Sequence, residues 1–224
     1  SLGEYSALHA AGVFDAVTAV DLVAFRGKAM EEAATGVESS MMAVLNMDRA
    51  SLEEACQEAS SLGCVVIANY NCPGQLVIGG EKAAVEKAAA IAKEKGARRC
   101  LPLKVSGPFH TPLMAPAGEA LAERFRTVDF HQPAIPVIFN CLGNVKPENV
   151  TIPELLVKQV QSSVFMEDSI RAMDALGMDA FVEIGPGKAL SGFVKKTVPE
   201  VPVYAVETAA DVEALVNAVK ESDR

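Results

Sequence analysis

The most restrictive feature of this chain is an alternation between residues 40 and 105. Four runs with strand-like composition, 41–46, 64–70, 75–80 and 98–105, are interleaved with two helix-like runs, 50–61 and 82–95. The order is strand, helix, strand, strand, helix, strand. Cys72-Pro73-Gly74 supplies a tight connection between the middle strands, and Gly96 stops the second helix. Each helix carries one alanine-rich or valine-lined face, as a layer covering one side of a four-stranded sheet requires. This is the split βαβ, ferredoxin-like pattern. It predicts a compact insertion over 40–105. Residues 1–39 and 106–224 then form a larger α/β, hydrolase-like domain.

Helical spacing in the flanks supports that division. Leu2, Tyr5 and Leu8 recur at helical intervals, Glu4 sits where a carboxylate suits the positive helix end, and Gly12 is a natural stop. Asp15 can cap a second helix, running to about residue 34, whose apolar face is expected from Val17, Val20, Val23, Ala24 and Met30. Prolines on both sides of Phe109-His110 exclude a regular helix there. Helices are expected over 114–125, from Pro153 to 161, over 166–176 and over 188–196. Short strands are expected over 135–140, 180–184 and 202–206, with a polar connection over 144–152. Asp211 is expected to cap a closing helix to about residue 220.

Composition narrows the function classes. Half of the 224 residues are hydrophobic, enough for a substantial core. The net charge of −9 argues against a nucleic-acid surface. Contact with an anionic partner is left to local patches, Lys93, Lys95, Arg98 and Arg99, or Lys188, Lys195 and Lys196. Five cysteines without metal-ligand spacing suggest neither a disulfide framework nor a zinc site, and fit reduced thiols in a cytoplasm. No apolar run approaches the roughly 18 residues that span a bilayer, so no membrane partner is expected. Gly185-Pro186-Gly187-Lys188 lacks the spacing of a phosphate-binding loop, with Val182 and Ala189 at positions that need Gly and Ser or Thr.

Three polar residues could carry chemistry. Ser1 opens the first helix, where the amide of Leu2 could stabilise an oxyanion; the same heptapeptide is also what an ordinary capped helix looks like. Arg26 leaves a partly apolar helix face, which suits either a snorkelling stem or a carboxylate clamp. His110 sits in a proline-flanked loop and is either a structural histidine or a base titrating near neutral pH. If Ser1 is a true mature terminus, its own amine could serve as base in an N-terminal-nucleophile hydrolase, although the helix-rich order does not suggest that architecture.

Ser1-Leu2-Gly3-Glu4-Tyr5-Ser6, Arg26-Gly27, Gly107-Pro108-Phe109-His110, Gln159 and Glu183-Ile184-Gly185-Pro186-Gly187-Lys188 together resemble the malonyl-CoA:acyl carrier protein transacylases, in that family's order and over essentially the whole chain. The family's serine elbow reads G-H-S-L-G-E, of which S-L-G-E stands here, so an upstream segment is expected. The resemblance implies ping-pong transfer of a malonyl group from malonyl-CoA to the phosphopantetheine thiol of acyl carrier protein, through a malonyl-serine ester, in fatty acid biosynthesis. It implies Ser1 as nucleophile, His110 as general base, and Gln159 as the residue whose carbonyl accepts a hydrogen bond from that histidine. Arg26 would grip the malonyl carboxylate, the Leu2 amide would face the oxyanion, and Phe109 would narrow the pocket against methylmalonyl groups. No cofactor is implied beyond the coenzyme A thioester as substrate, and a monomer is expected. Where the family continues with Asn-Pro-Val and a Trp, this chain has Ser162-Ser163-Val164 and Phe165-Met166. The alternatives are an acyltransferase domain of a polyketide synthase and a non-catalytic carrier-protein-binding fragment. The closing helix and the polar 221–224 end favour a freestanding enzyme.

Overall fold

The structure is a computed structural model that describes residues 1–222, with side chains through residue 220; the reading placed on the 221–224 end lies outside them. The fold is α/β, and it divides into two compact units, residues 1–169 and the part from Ile170 onward. Among the described residues no helix is long and apolar enough to cross a membrane.

The alternating stretch forms β1 (Ser39–Leu45), α3 (Arg49–Ala59), β2 (Val65–Cys72), β3 (Gln75–Glu81), α4 (Lys82–Glu94) and β4 (Arg99–Pro102), after α1 (Leu2–Ala10) and α2 (Ala16–Ala34). The sheet order is β4-β1-β3-β2, with every neighbouring pair antiparallel; Met42 faces Ile78, Ile67 faces Ile78, and Val44 faces Cys100. A fifth strand joins from much later in the chain. β7 (Val164–Phe165) runs parallel to β2, pairing Asn69 with Val164 and Tyr70 with Phe165. The fourth strand stops at Pro102, short of the expected 105, although the Leu103 amide still donates to the Met41 carbonyl at 2.9 Å. Gly80 must be glycine: at φ +153, a Cβ would lie 2.0 Å from the Cys64 carbonyl oxygen.

The two faces of this sheet do different jobs. On one face, Leu52, Ala55, Cys56 and Ala59 of α3, with Ala84, Val85, Ala88 and Ala92 of α4, pack against Val44, Val65, Ile67 and Ile78. The other face carries Met41, Ala68 and Val77, and Phe109 packs on them. A Cβ at Gly79 would meet Thr111 Cγ2 at 3.3 Å, so the loop that contains His110 lies close against the sheet backbone.

The second core of this unit is helical. Tyr5 and Leu8 of α1, Leu22, Ala29 and Met30 of α2, Ala117, Leu121 and Phe125 of α5 (Ala115–Phe125), and Leu155, Leu156 and Val160 of α6 (Ile152–Gln161) enclose Phe139. Asp15 caps α2 by accepting from the Thr18 amide at 2.7 Å. The buried stripe of α2 is Leu22, Arg26, Ala29, Met30 and Ala34, however, and the expected face members Val17 and Val20 are 78% and 70% exposed. The neighbours choose the face: α2 turns toward α1 and α5, and Leu22, Arg26 and Ala29 share the side that meets them. α6 begins with a reciprocal capping box between Thr151 and Glu154. The expected strand at 135–140 shrinks to β5 (Ile138–Phe139), paired with β6 (Asn144–Val145) inside the expected polar connection.

α7 (Met166–Ala175) crosses the division between the units. In the second unit, β8 (Phe181–Ile184) and β9 (Val203–Val206) pair in parallel and alternate with α8 (Ala189–Thr197) and α9 (Ala209–Ser222). Glu183 accepts from the Leu190 and Ser191 amides and from the Ser191 hydroxyl at the start of α8. Burial works against its ionisation, and these hydrogen bonds outweigh it, holding its carboxyl below the usual range. The cap of α9 is Thr208 rather than the expected Asp211. Thr208 Oγ1 accepts from the Asp211 amide, and the Asp211 carboxylate reaches back to the Thr208 amide at 2.8 Å. Both residue types cap well, and the chain uses them reciprocally.

Candidate active site

Ser1, His110, Arg26 and Gln159 come from four separate segments and meet. Ser1 precedes the first turn of α1 and makes no side-chain cap bond, leaving its hydroxyl free for other partners. His110 Nε2 is 3.1 Å from Ser1 Oγ, and Arg26 Nη2 donates to the same oxygen at 2.8 Å. His110 Nδ1 lies 2.8 Å from the main-chain carbonyl oxygen of Gln159.

These contacts fix the proton positions. A carbonyl oxygen only accepts, so Nδ1 carries the imidazole hydrogen and Nε2 presents its lone pair. A guanidinium only donates, so Ser1 Oγ accepts from Arg26 and points its own proton at His110 Nε2. The serine hydroxyl is thereby poised to lose that proton to the histidine.

His110 is held for this work by its loop. It has φ +60, a left-handed conformation that costs a non-glycine residue about 1–3 kcal/mol and persists only when the surroundings enforce it. Phe109 on one side packs against the helical core and against Met41, Ala68 and Val77 of the sheet, and Thr111 on the other is fully buried, its hydroxyl donating to the Pro108 carbonyl at 2.6 Å. A Cβ at Gly107 would come within 2.5 Å of Ala34 Cβ, so the loop also presses against α2. Burial pushes the His110 pKa down to about 4, which keeps the imidazole neutral at physiological pH.

Gln159 is fully buried and holds both partners of the pair. Its main-chain oxygen takes the histidine, and its side-chain Nε2 donates to the Ser1 main-chain carbonyl at 3.2 Å. The segment after it departs from the expected Asn-Pro-Val and Trp, yet it is firmly tied. Ser163 Oγ donates to the Ile67 carbonyl at 2.7 Å, and the Phe165 amide donates to Asn140 O at 2.8 Å. The Phe165 ring stacks on Tyr70, with centroids 4.9 Å apart, and Arg49 lies over the Tyr70 ring while ion-paired to Glu167 and Asp168.

Arg26 is 6% exposed, and its guanidinium carbon stands 5.9 Å from the centre of the Tyr5 ring. Burial pulls its pKa down from the ordinary value, with the Tyr5 and Glu4 charges opposing. No carboxylate lies within ion-pair distance of it among the described residues. The Leu2 side chain is exposed; its amide, first in α1, has no acceptor within the helix. Among the described residues no group of three or more His, Cys, Asp or Glu could hold a metal ion. All five cysteines are free, and burial pushes the thiols of Cys56 and Cys141 up to about 12 and about 11.

Three residues of the site are absent from the sequence analysis in these roles. The Tyr5 ring backs Arg26, and Glu4, 8% exposed, accepts from the Asn140 amide at 2.8 Å. A signal for Glu4 existed: it shares a helical face with Leu8 and Ala11, so its carboxylate sits on an apolar stripe. Nothing in the sequence singled out Asn140.

Residues 1–221 match the family described as acyl transferase domain. The chain is 44% identical, over its full length and 71% of the relative's, to a protein named malonyl CoA-acyl carrier protein transacylase from Bacillus subtilis. A solved malonyl CoA-acyl carrier protein transacylase from Clostridium perfringens superposes with a TM-score of 0.95 at 41% identity, covering 99% of this chain and 70% of that one. A second solved structure, described as a type II PKS acyl-carrier protein in complex with its malonyl-transacylase, gives 0.90 at 39% identity over 96% of this chain and 70% of that one. The four-segment serine, histidine, glutamine and arginine site thus stands in a chain that belongs to the acyl transferase domain family.

Proposed function

We propose that the protein transfers a malonyl group from malonyl-CoA to the phosphopantetheine thiol of acyl carrier protein, in fatty acid biosynthesis. The observation that carries this reading is the double engagement of one hydroxyl. Ser1 Oγ faces a neutral imidazole that can take its proton and a buried guanidinium that has no carboxylate partner among the described residues. A base beside a serine serves acyl transfer in general. A desolvated arginine beside the same serine calls for an acyl group that brings its own negative charge, and its planar fork matches a carboxylate.

Ser1 Oγ attacks the thioester carbonyl as its proton passes to His110 Nε2. The Gln159 carbonyl keeps the Nδ1 hydrogen in place and stabilises the imidazolium that forms. The Leu2 amide faces the developing oxyanion. Collapse of the tetrahedral intermediate expels the coenzyme A thiolate, which receives the proton from His110. The carrier-protein thiol then gives its proton to His110 and attacks the malonyl-serine ester, and Ser1 recovers its hydrogen as the ester breaks. The bulk of Phe109 restricts the space beside the malonyl α-carbon.

Residues 40–105, with sheet order β4-β1-β3-β2 and both helices on one face, act as a ferredoxin-like insertion in a hydrolase-like domain of residues 1–39 and 106–224. The enzyme works as a cytoplasmic monomer without a cofactor, and the reduced, mostly buried thiols suit that compartment. The test is intact mass and peptide mapping after incubation with malonyl-CoA. A malonyl ester on Ser1 that is lost in Ser1→Ala and discharged by holo-acyl carrier protein is expected. An adduct that persists in Ser1→Ala would refute the assignment.

A further inference from the structure

Glu4 is a buried, titratable group that the reaction above does not use. Burial raises its pKa, with the Asn140 amide as the strongest opposing influence, and the Gln159 side chain and the Arg26 charge act in the same direction as that amide. A carboxylate is costly to bury, and this one sits one helical turn after the nucleophile. Its contacts account for its place. Glu4 Oε2 accepts from the Asn140 amide at 2.8 Å, just beyond β5. The Asn140 carbonyl accepts from the Phe165 amide at 2.8 Å, and Phe165 lies in β7, paired to Tyr70 of β2. At the other end, the Glu4 amide donates to the Ser1 carbonyl at 3.3 Å, the same oxygen that receives Gln159 Nε2 at 3.2 Å.

An unbroken line of hydrogen bonds therefore runs from the central sheet, through Asn140, to the start of the nucleophile helix. His110 is held by the Gln159 main-chain carbonyl and by the packing of its neighbour Phe109 on that same sheet. We propose that Glu4 is a positioning residue: its carboxylate, acting as acceptor for Asn140, fixes the N-terminus of α1 so that Ser1 Oγ stays within proton-transfer distance of His110 Nε2. The inference rests on Ser1 being the acylated residue. It does not make Glu4 a group that touches the substrate.

The tests are Glu4→Ala and Glu4→Gln, the second retaining an acceptor oxygen for Asn140 while removing the charge. Single-turnover acylation by malonyl-CoA, the steady-state KM and the thermal unfolding midpoint are measured for each. Glu4→Ala should slow acylation by up to about 100-fold, the scale of a misplacement near 1 Å, with KM within about 3-fold of the parent. Glu4→Gln should recover most of that loss. Acylation by Glu4→Ala at the parental rate, or by Glu4→Gln as slow as by Glu4→Ala, would overturn the proposal. If Glu4→Ala does not fold, Glu4→Gln decides alone: a rate near the parent's supports the acceptor role, and a large loss with unchanged midpoint refutes it. Failure of the reading beneath it looks different, since the parent protein itself would then form no ester on Ser1.

Discussion

Replacing Arg26 with alanine separates the two halves of the proposed chemistry. Arg26 is 6% exposed and its Nη2 stands 2.8 Å from the attacking oxygen, so a carboxylate bound there would be largely shielded from water. Opposite charges about 4 Å apart at an effective dielectric near 20 attract by about 4 kcal/mol. Stripping water from the incoming carboxylate takes back part of that, and truncating one partner of a buried charge pair costs about 2–5 kcal/mol. A central value of about 3 kcal/mol corresponds to about 150-fold in kcat/KM for malonyl-CoA. Acetyl-CoA brings no carboxylate. In the parent protein it leaves Arg26 buried and unpaired, so the substitution removes a penalty, and acetyl transfer should stay within a few-fold or rise. Steady-state kcat/KM for both donors, with holo-acyl carrier protein as acceptor, gives the ratio directly, and the unfolding midpoint controls for damage to the core. Equal losses for the two donors would refute the clamp. Arg26→Lys should lie between, since an ammonium keeps the charge but lacks the planar fork.

Because His110 is held down to about 4, the acid limb of kcat/KM against pH should fall near that value rather than near 6.5, in a profile measured with a pH-stable acyl donor. Stability follows the same sign. Between about pH 6.5 and 4 the unfolded chain binds a proton that the folded chain refuses, so this contribution is intact above 6.5 and drains away as pH falls; His110→Ala should flatten that part of the stability curve. Phe109→Ser should lower the malonyl to methylmalonyl ratio of kcat/KM by an amount equivalent to about 1–3 kcal/mol, the scale of one methyl group in a pocket. An unchanged ratio would remove Phe109 from substrate selection, leaving it the packing role it has between the helical core and the Met41, Ala68 and Val77 face of the sheet.

The order of strands and helices from β1 to β4 was legible because local rules sufficed there. Strand-like composition, an alanine-rich α4 and the Cys72-Pro73-Gly74 turn each follow from neighbouring residues, whereas the register shifts between Ile67 and Asn69 and between Tyr70 and Cys72 left no mark in the sequence. The same local rules set the helix starts at Asp15, Asp48 and Thr151, where a short polar side chain meets an amide three positions on. They misjudged α2, where Val17 and Val20 have the right composition for a core and the surrounding helices use another side. β6 and β7 are two residues each, too short for any periodicity to register.

The site divides along the same line. Serine, histidine, arginine and glutamine were recognisable as residue types in their sequence settings. That Gln159 works through its main-chain oxygen on His110 and its side chain on Ser1 is a matter of how α6 lies against α1, as is the burial of Glu4 beside them. The amino-acid sequence by itself determined which groups were available and which segments were helix or strand, because those depend on contacts a few residues apart. Only the tertiary structure decided that residues 1, 26, 110 and 159 share one hydroxyl and one imidazole, because a 3 Å meeting across more than a hundred residues is set by packing that no local pattern encodes.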